Sequence, residues 1–123
     1  MAERLKLSHR GLIWATAIGT VLQVLMVLAG HSNPAISRFY PEGGMAIALA
    51  AGILYTVIGV EAITMENVVG GMIAGAVGAF VGIVVSYLMG DVAASVLLIG
   101  TVSSAITGAA GGWIGRLFST GAV

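Results

Sequence analysis

Between Val68 and Gly115 the chain carries one charged side chain, Asp91. A stretch this apolar is far longer than the roughly 20 residues that cross a bilayer. It must therefore turn once, and Gly90-Asp91 is the place where it can. Small residues flank the turn in regular steps. Before it stand Gly71, Gly75, Gly78, Gly82 and Ser86; after it stand Gly100, Ser104, Gly108 and Gly112. Steps of three and four residues put each set on one helix face. Glycine is a poor helix former in water. In lipid it lets helix backbones approach closely, which is how transmembrane helices associate without a hydrophobic force between them.

The rest of the chain extends the pattern. Hydrophobic residues make up 59% of it and charged residues 8%, against about a quarter charged in soluble domains. Four apolar runs stand out, at about 11–30, 44–60, 68–88 and 93–115. The first is too long for the apolar region of a signal peptide and is expected to be retained. Asn33-Pro34 and Tyr40-Pro41-Glu42-Gly43 read as turn signals in the loop between the first two runs. The expected fold is an all-α membrane protein, one integral domain over 1–123 with four transmembrane helices. Arg4, Lys6, Arg10 and Arg116 fall at one side and Arg38 at the other, so both termini are expected in the cytoplasm. Trp14 and Trp113 would then lie at the inner interface, and Phe39, Tyr40 and Tyr87 at the outer. A multi-pass protein of a bacterial inner membrane is the expected setting.

The two halves also resemble each other. At one constant offset Gly11, Ile13, Val21, Val24, Leu28 and Gly30 match Gly71, Ile73, Val81, Val84, Leu88 and Gly90. At a second, Gly44, Gly52, Ile58 and Gly59 match Gly100, Gly108, Ile114 and Gly115. The pattern predicts a two-helix hairpin used twice, related by a pseudo-two-fold axis along the membrane normal. His31 then corresponds to Asp91.

Several function classes are disfavoured. Net charge is +0, which gives no footprint for nucleic acid. Cysteine is absent, which removes disulfides and thiolate metal sites. His9 and His31 fall on opposite membrane faces, so they cannot share a metal or a haem, and no cofactor is expected. Ser32, His31 and Asp91 share the outer face, but no catalytic motif surrounds them; the chain is not expected to be an enzyme. No ionisable residue falls at mid-depth, which weighs against a proton relay or an ion-coupled carrier.

The candidate sites are therefore few. The ladders (Gly71, Gly75, Gly78, Gly82; Gly100, Ser104, Gly108, Gly112) are expected to pack helices, within the chain or against a neighbour. Gln23, Ser103, Ser104 and Thr107 share a depth, and predict a polar clasp between the first and last spans or the lining of a solute path. Glu61 and Glu66 are expected to be solvated, Glu66 at the start of the third span. His31 and Asp91 form a candidate outer-face pair, read either as two wet loop residues or as an ion pair that responds to pH through the histidine. The leading expectation is a packing protein in the lipid bilayer, a subunit of a homo-oligomer or an accessory to other membrane subunits. The alternative is a small oligomeric channel or transporter for an ion or small solute.

Overall fold

The computed structural model describes residues 9–59 and 64–119, and its elements are all helical. They are α1 (His9–Ser32), α2 (Pro34–Ser37), α3 (Tyr40–Gly59), α4 (Thr64–Leu88) and α5 (Ala94–Ser119). α1, α3, α4 and α5 are long and apolar enough to cross a membrane. Arg4, Lys6, Val60 and Glu61 lie outside the described residues.

The helix ends follow local chemistry. Asn33 caps α2: its Oδ1 accepts from the Ala35 N–H at 3.0 Å, and Pro34 fills the first turn, where its missing N–H costs nothing. The expected turn at Tyr40-Pro41-Glu42-Gly43 is instead the first turn of α3. Proline is suited to that turn, and Glu42 there complements the helix dipole. α4 ends in a Schellman cap. Gly90 takes φ +81°, its N–H donates to Tyr87 O at 2.9 Å, and the Asp91 N–H donates to Ser86 O at 3.0 Å. Only glycine adopts that conformation cheaply.

The four long helices form a rhombus. α3 and α4 face each other across its short diagonal, while α1 and α5 stand at the far corners. The end that carries residues 9 and 119 is called here the terminal end. The end that carries α2 and the Gly90 cap is the distal end.

At the terminal end the backbones nearly touch. A Cβ on Gly52 or Gly71 would collide with the Gly108 carbonyl, and one on Gly112 with the Asn67 carbonyl. One on Gly75 would lie 2.8 Å from Ser104 O. The glycine seam of α5 thus fits between α3 and α4, where the Thr56 hydroxyl donates to Gly112 O at 2.7 Å. The α4 ladder divides its contacts. Gly71 and Gly75 face α5, whereas Gly78 and Gly82 face Gly19 and Gln23 of α1. Gly100 accommodates the side chain of Ile83.

The core that results is made of small residues. Ala15, Ala48, Ala51, Ala74 and Ala79 are buried, and Tyr55 is the largest fully buried side chain. The bulky apolar residues point outward, with Ile13, Leu98 and Ile106 each about two-thirds exposed. A water-soluble fold reverses that order; hydrocarbon around the bundle accommodates it. Glu66 departs from the sequence expectation: it is buried in the first turn of α4 rather than solvated.

Candidate functional site

The α1–α3 and α4–α5 pairs close at the terminal end and part at the distal end. Between them lies a cavity of about 500 Å³, within the range of small-molecule sites. All four long helices line it.

α1 contributes Gln23, which is 3% exposed. Its Nε2 donates to Gly44 O of α3 at 3.0 Å. Gly82 makes room for it, since a Cβ there would lie 2.8 Å from Gln23 Cβ. The Gln23 Oε1 accepts no hydrogen bond among the described residues. α3 contributes Tyr40, whose ring packs where a Cβ on Gly30 would be and whose hydroxyl donates to Val27 O at 3.0 Å. α4 contributes Ser86, 1% exposed. Its Oγ lies beside the Tyr40 hydroxyl and is sealed from the cavity. α5 contributes Ser103 and Ser104, whose hydroxyls have no partner among the described residues.

The rim is ionic. His31 Nδ1 stands 2.8 Å from Asp91 Oδ2, so the end of α1 is tied to the α4–α5 turn. Half of the His31 side chain is exposed, and water screens the pair, which holds it near the surface range of about 0–1 kcal/mol. Its contribution is to position the turn rather than to hold the bundle.

No family model, curated protein or solved structure matches this chain. What the site can do rests on its own geometry.

The structure gathers some of the residues singled out by sequence and separates others. Gln23, Ser103 and Ser104 line one cavity, but Gln23 bonds to α3 and not to α5. The direct clasp between the first and last spans does not form, because α1 and α5 occupy opposite corners. Thr107 lies outside the lining. Its hydroxyl donates back to Ser103 O at 2.8 Å, a local bond that helical threonine commonly makes. Asp91, expected only at the outer rim, also lines the cavity mouth. Tyr40 was expected in an interfacial belt, and Ser86 was expected as one rung of a ladder; both belong to the site. Among the described residues no group of three or more potential metal ligands occurs.

Hydroxyls and amides without partners in an apolar bundle are expensive. Each such group costs on the order of 1–3 kcal/mol unless something bonds to it. A cavity that concentrates them between hairpins is therefore suited to hold small polar matter, and has little acid–base chemistry to offer it.

Proposed function

We propose that this chain is a small membrane transport protein whose path for a small solute runs through the distal cavity. The observation that carries the reading is the convergence of Gln23 Oε1 with the hydroxyls of Ser103 and Ser104 on one cavity, without protein partners among the described residues. The sequence alone favoured a packing or accessory subunit, on the strength of the ladders. Those glycines make their close approaches within the chain, so they account for the bundle and leave no glycine seam that requires a partner. The role is non-enzymatic in this reading.

Internal duplication supports it. Three contacts join or match counterparts under the offsets of the sequence comparison. Gly52 meets Gly108, His31 meets Asp91, and the contact of Gln23 with Gly44 is matched by that of Ile83 with Gly100. Both joined pairs lie where the first hairpin meets the second. Met26 and Ser86, like Tyr40 and Val96, are counterparts that both line the cavity. A site at the interface between two repeats is the arrangement of parallel-repeat transporters.

Flux tests the reading. Purified protein in liposomes is expected to pass a small solute above the rate of empty vesicles, and Gln23→Leu or Ser104→Val is expected to reduce that rate at least tenfold. Silence across ions and small neutral solutes removes the proposal.

Both termini are placed in the cytoplasm, on the distribution of Lys and Arg. Phe39 is 60% exposed at the distal end, and the chain has no cysteine. Phe39→Cys is therefore expected to react with a membrane-impermeant maleimide added outside intact cells. Labelling only after the cells are opened would invert the orientation.

A further inference from the structure

We infer that the ligand of the distal cavity is a neutral amphiphile, with a hydroxyl-bearing head and a short apolar tail. The inference rests on the reading of this cavity as the functional site, and deepens it by naming the chemistry the site accepts.

The head is set by the groups without partners. Gln23 Oε1 can only accept a hydrogen bond, whereas the hydroxyls of Ser103 and Ser104 can both donate and accept. A ligand that satisfies all of them must itself donate and accept. A hydroxyl or a primary amide does both. A carboxylate brings acceptors only, and would face Gln23 Oε1 with nothing to give it. Gln23 and Ser104 are each at least 96% buried, so these groups are not bulk-solvated surface atoms.

The charge is set by the absence of compensation. The one charged side chain in the lining is Asp91, at the mouth, and its Oδ2 is engaged by His31 at 2.8 Å. An ion that moved inward would give up water for an apolar wall, with an effective penalty of several kcal/mol. No opposite charge waits there for it. A neutral head avoids that penalty.

The tail is set by the wall. Between the mouth and the serines the cavity is faced by Met26, Val27, Ile83, Val96 and Ile99. A small polyol would leave that surface without contacts, while a short alkyl chain covers it. The volume of about 500 Å³ accommodates a head and tail together.

The test uses radiolabelled 1-octanoylglycerol with the full chain in phosphatidylcholine nanodiscs, corrected by protein-free nanodiscs. Two companion probes separate the features: octanoate keeps the tail but charges the head, and glycerol keeps the hydroxyls but drops the tail. Saturable binding of 1-octanoylglycerol is expected, at least tenfold tighter than either companion. Gln23→Leu is expected to weaken it about tenfold, the scale of one buried hydrogen bond. The double variant S103A/S104A, which keeps helix-favouring residues throughout, is expected to do the same if Gln23→Leu does not fold. Octanoate binding as tightly overturns the neutral head, and glycerol binding as tightly overturns the tail. No saturable binding, or binding unchanged in the folded variants, overturns the inference as a whole. Ion flux lost in Ser104→Val without 1-octanoylglycerol binding would leave the transport reading standing and remove this one. Binding without any flux would do the reverse.

Discussion

Gly108→Leu is expected to abolish the folded bundle, while Val96→Leu at the cavity wall changes stability by no more than about 1 kcal/mol. The reason is the number of backbones that meet at Gly108. Its carbonyl occupies the space where a Cβ on Gly52 of α3 or on Gly71 of α4 would go, and its own Cβ would collide with Gly71 O. A leucine there has no flexible neighbour to displace. α5 would have to withdraw from α3 and α4 together, which would also break the bond from the Thr56 hydroxyl to Gly112 O. Overpacking commonly costs about 1–3 kcal/mol. A side chain driven between two backbones belongs at or beyond the top of that range, against a total stability of about 5–15 kcal/mol. Gly108→Ala gives a sharper test, because its sign is unusual. Replacing a mid-helix glycine by alanine ordinarily stabilises a helix by about 1 kcal/mol; here it is expected to destabilise. Denaturation in sodium dodecyl sulfate, followed through Trp14 and Trp113, reads both variants. A raised midpoint for Gly108→Ala would remove the close-approach account.

Much of this architecture was legible in the sequence, for physical reasons that also explain where legibility stopped. Four spans were readable because hydrocarbon tolerates so few charges that Asp91 alone marks a turn. The ladders were readable because a glycine every three or four residues has little use in a helix except close approach. Their division was not, since the spacing of Gly71, Gly75, Gly78 and Gly82 says which face is bare but not which helix covers each half of it. Pro41 was misread because proline fits a turn and the first turn of a helix equally well. Gln23 was identified as needing a partner, but the partner is the backbone oxygen of Gly44, and any carbonyl can serve in that way. The site lost Thr107 to a local bond within α5, an alternative open to any threonine in a helix. Tyr40 and Ser86 joined it because the splay of the hairpins brings them to the cavity, and no single-residue signal carries that.

Tyr55→Ala is the other change expected to have a large effect, and the proposed repeat frames the reason. Under the offset that aligns Gly52 with Gly108, the counterpart of Tyr55 is Gly111. In the first half the ring fills the terminal end: it lies beside Gly11 of α1 and takes the space of a Cβ on Gly70 of α4. In the second half Gly111 has no side chain, and the carbonyl of Leu49 lies where its Cβ would be. Thus one aromatic joins α3 to both α1 and α4, while α5 makes no comparable bridge to α1. The rhombus follows from that asymmetry, with α3 and α4 close and α1 and α5 apart. Truncation would leave a closed void among three helices, too enclosed for lipid to fill. Removing a buried aromatic in this way costs about 3–5 kcal/mol, and α1 would lose its firmest contact at the terminal end. Tyr55→Phe keeps the ring and is expected to retain most of the stability. A midpoint for Tyr55→Ala equal to that of Tyr55→Phe would mean that the ring is not what sets the short diagonal, and that the glycine seam of α5 imposes the rhombus alone.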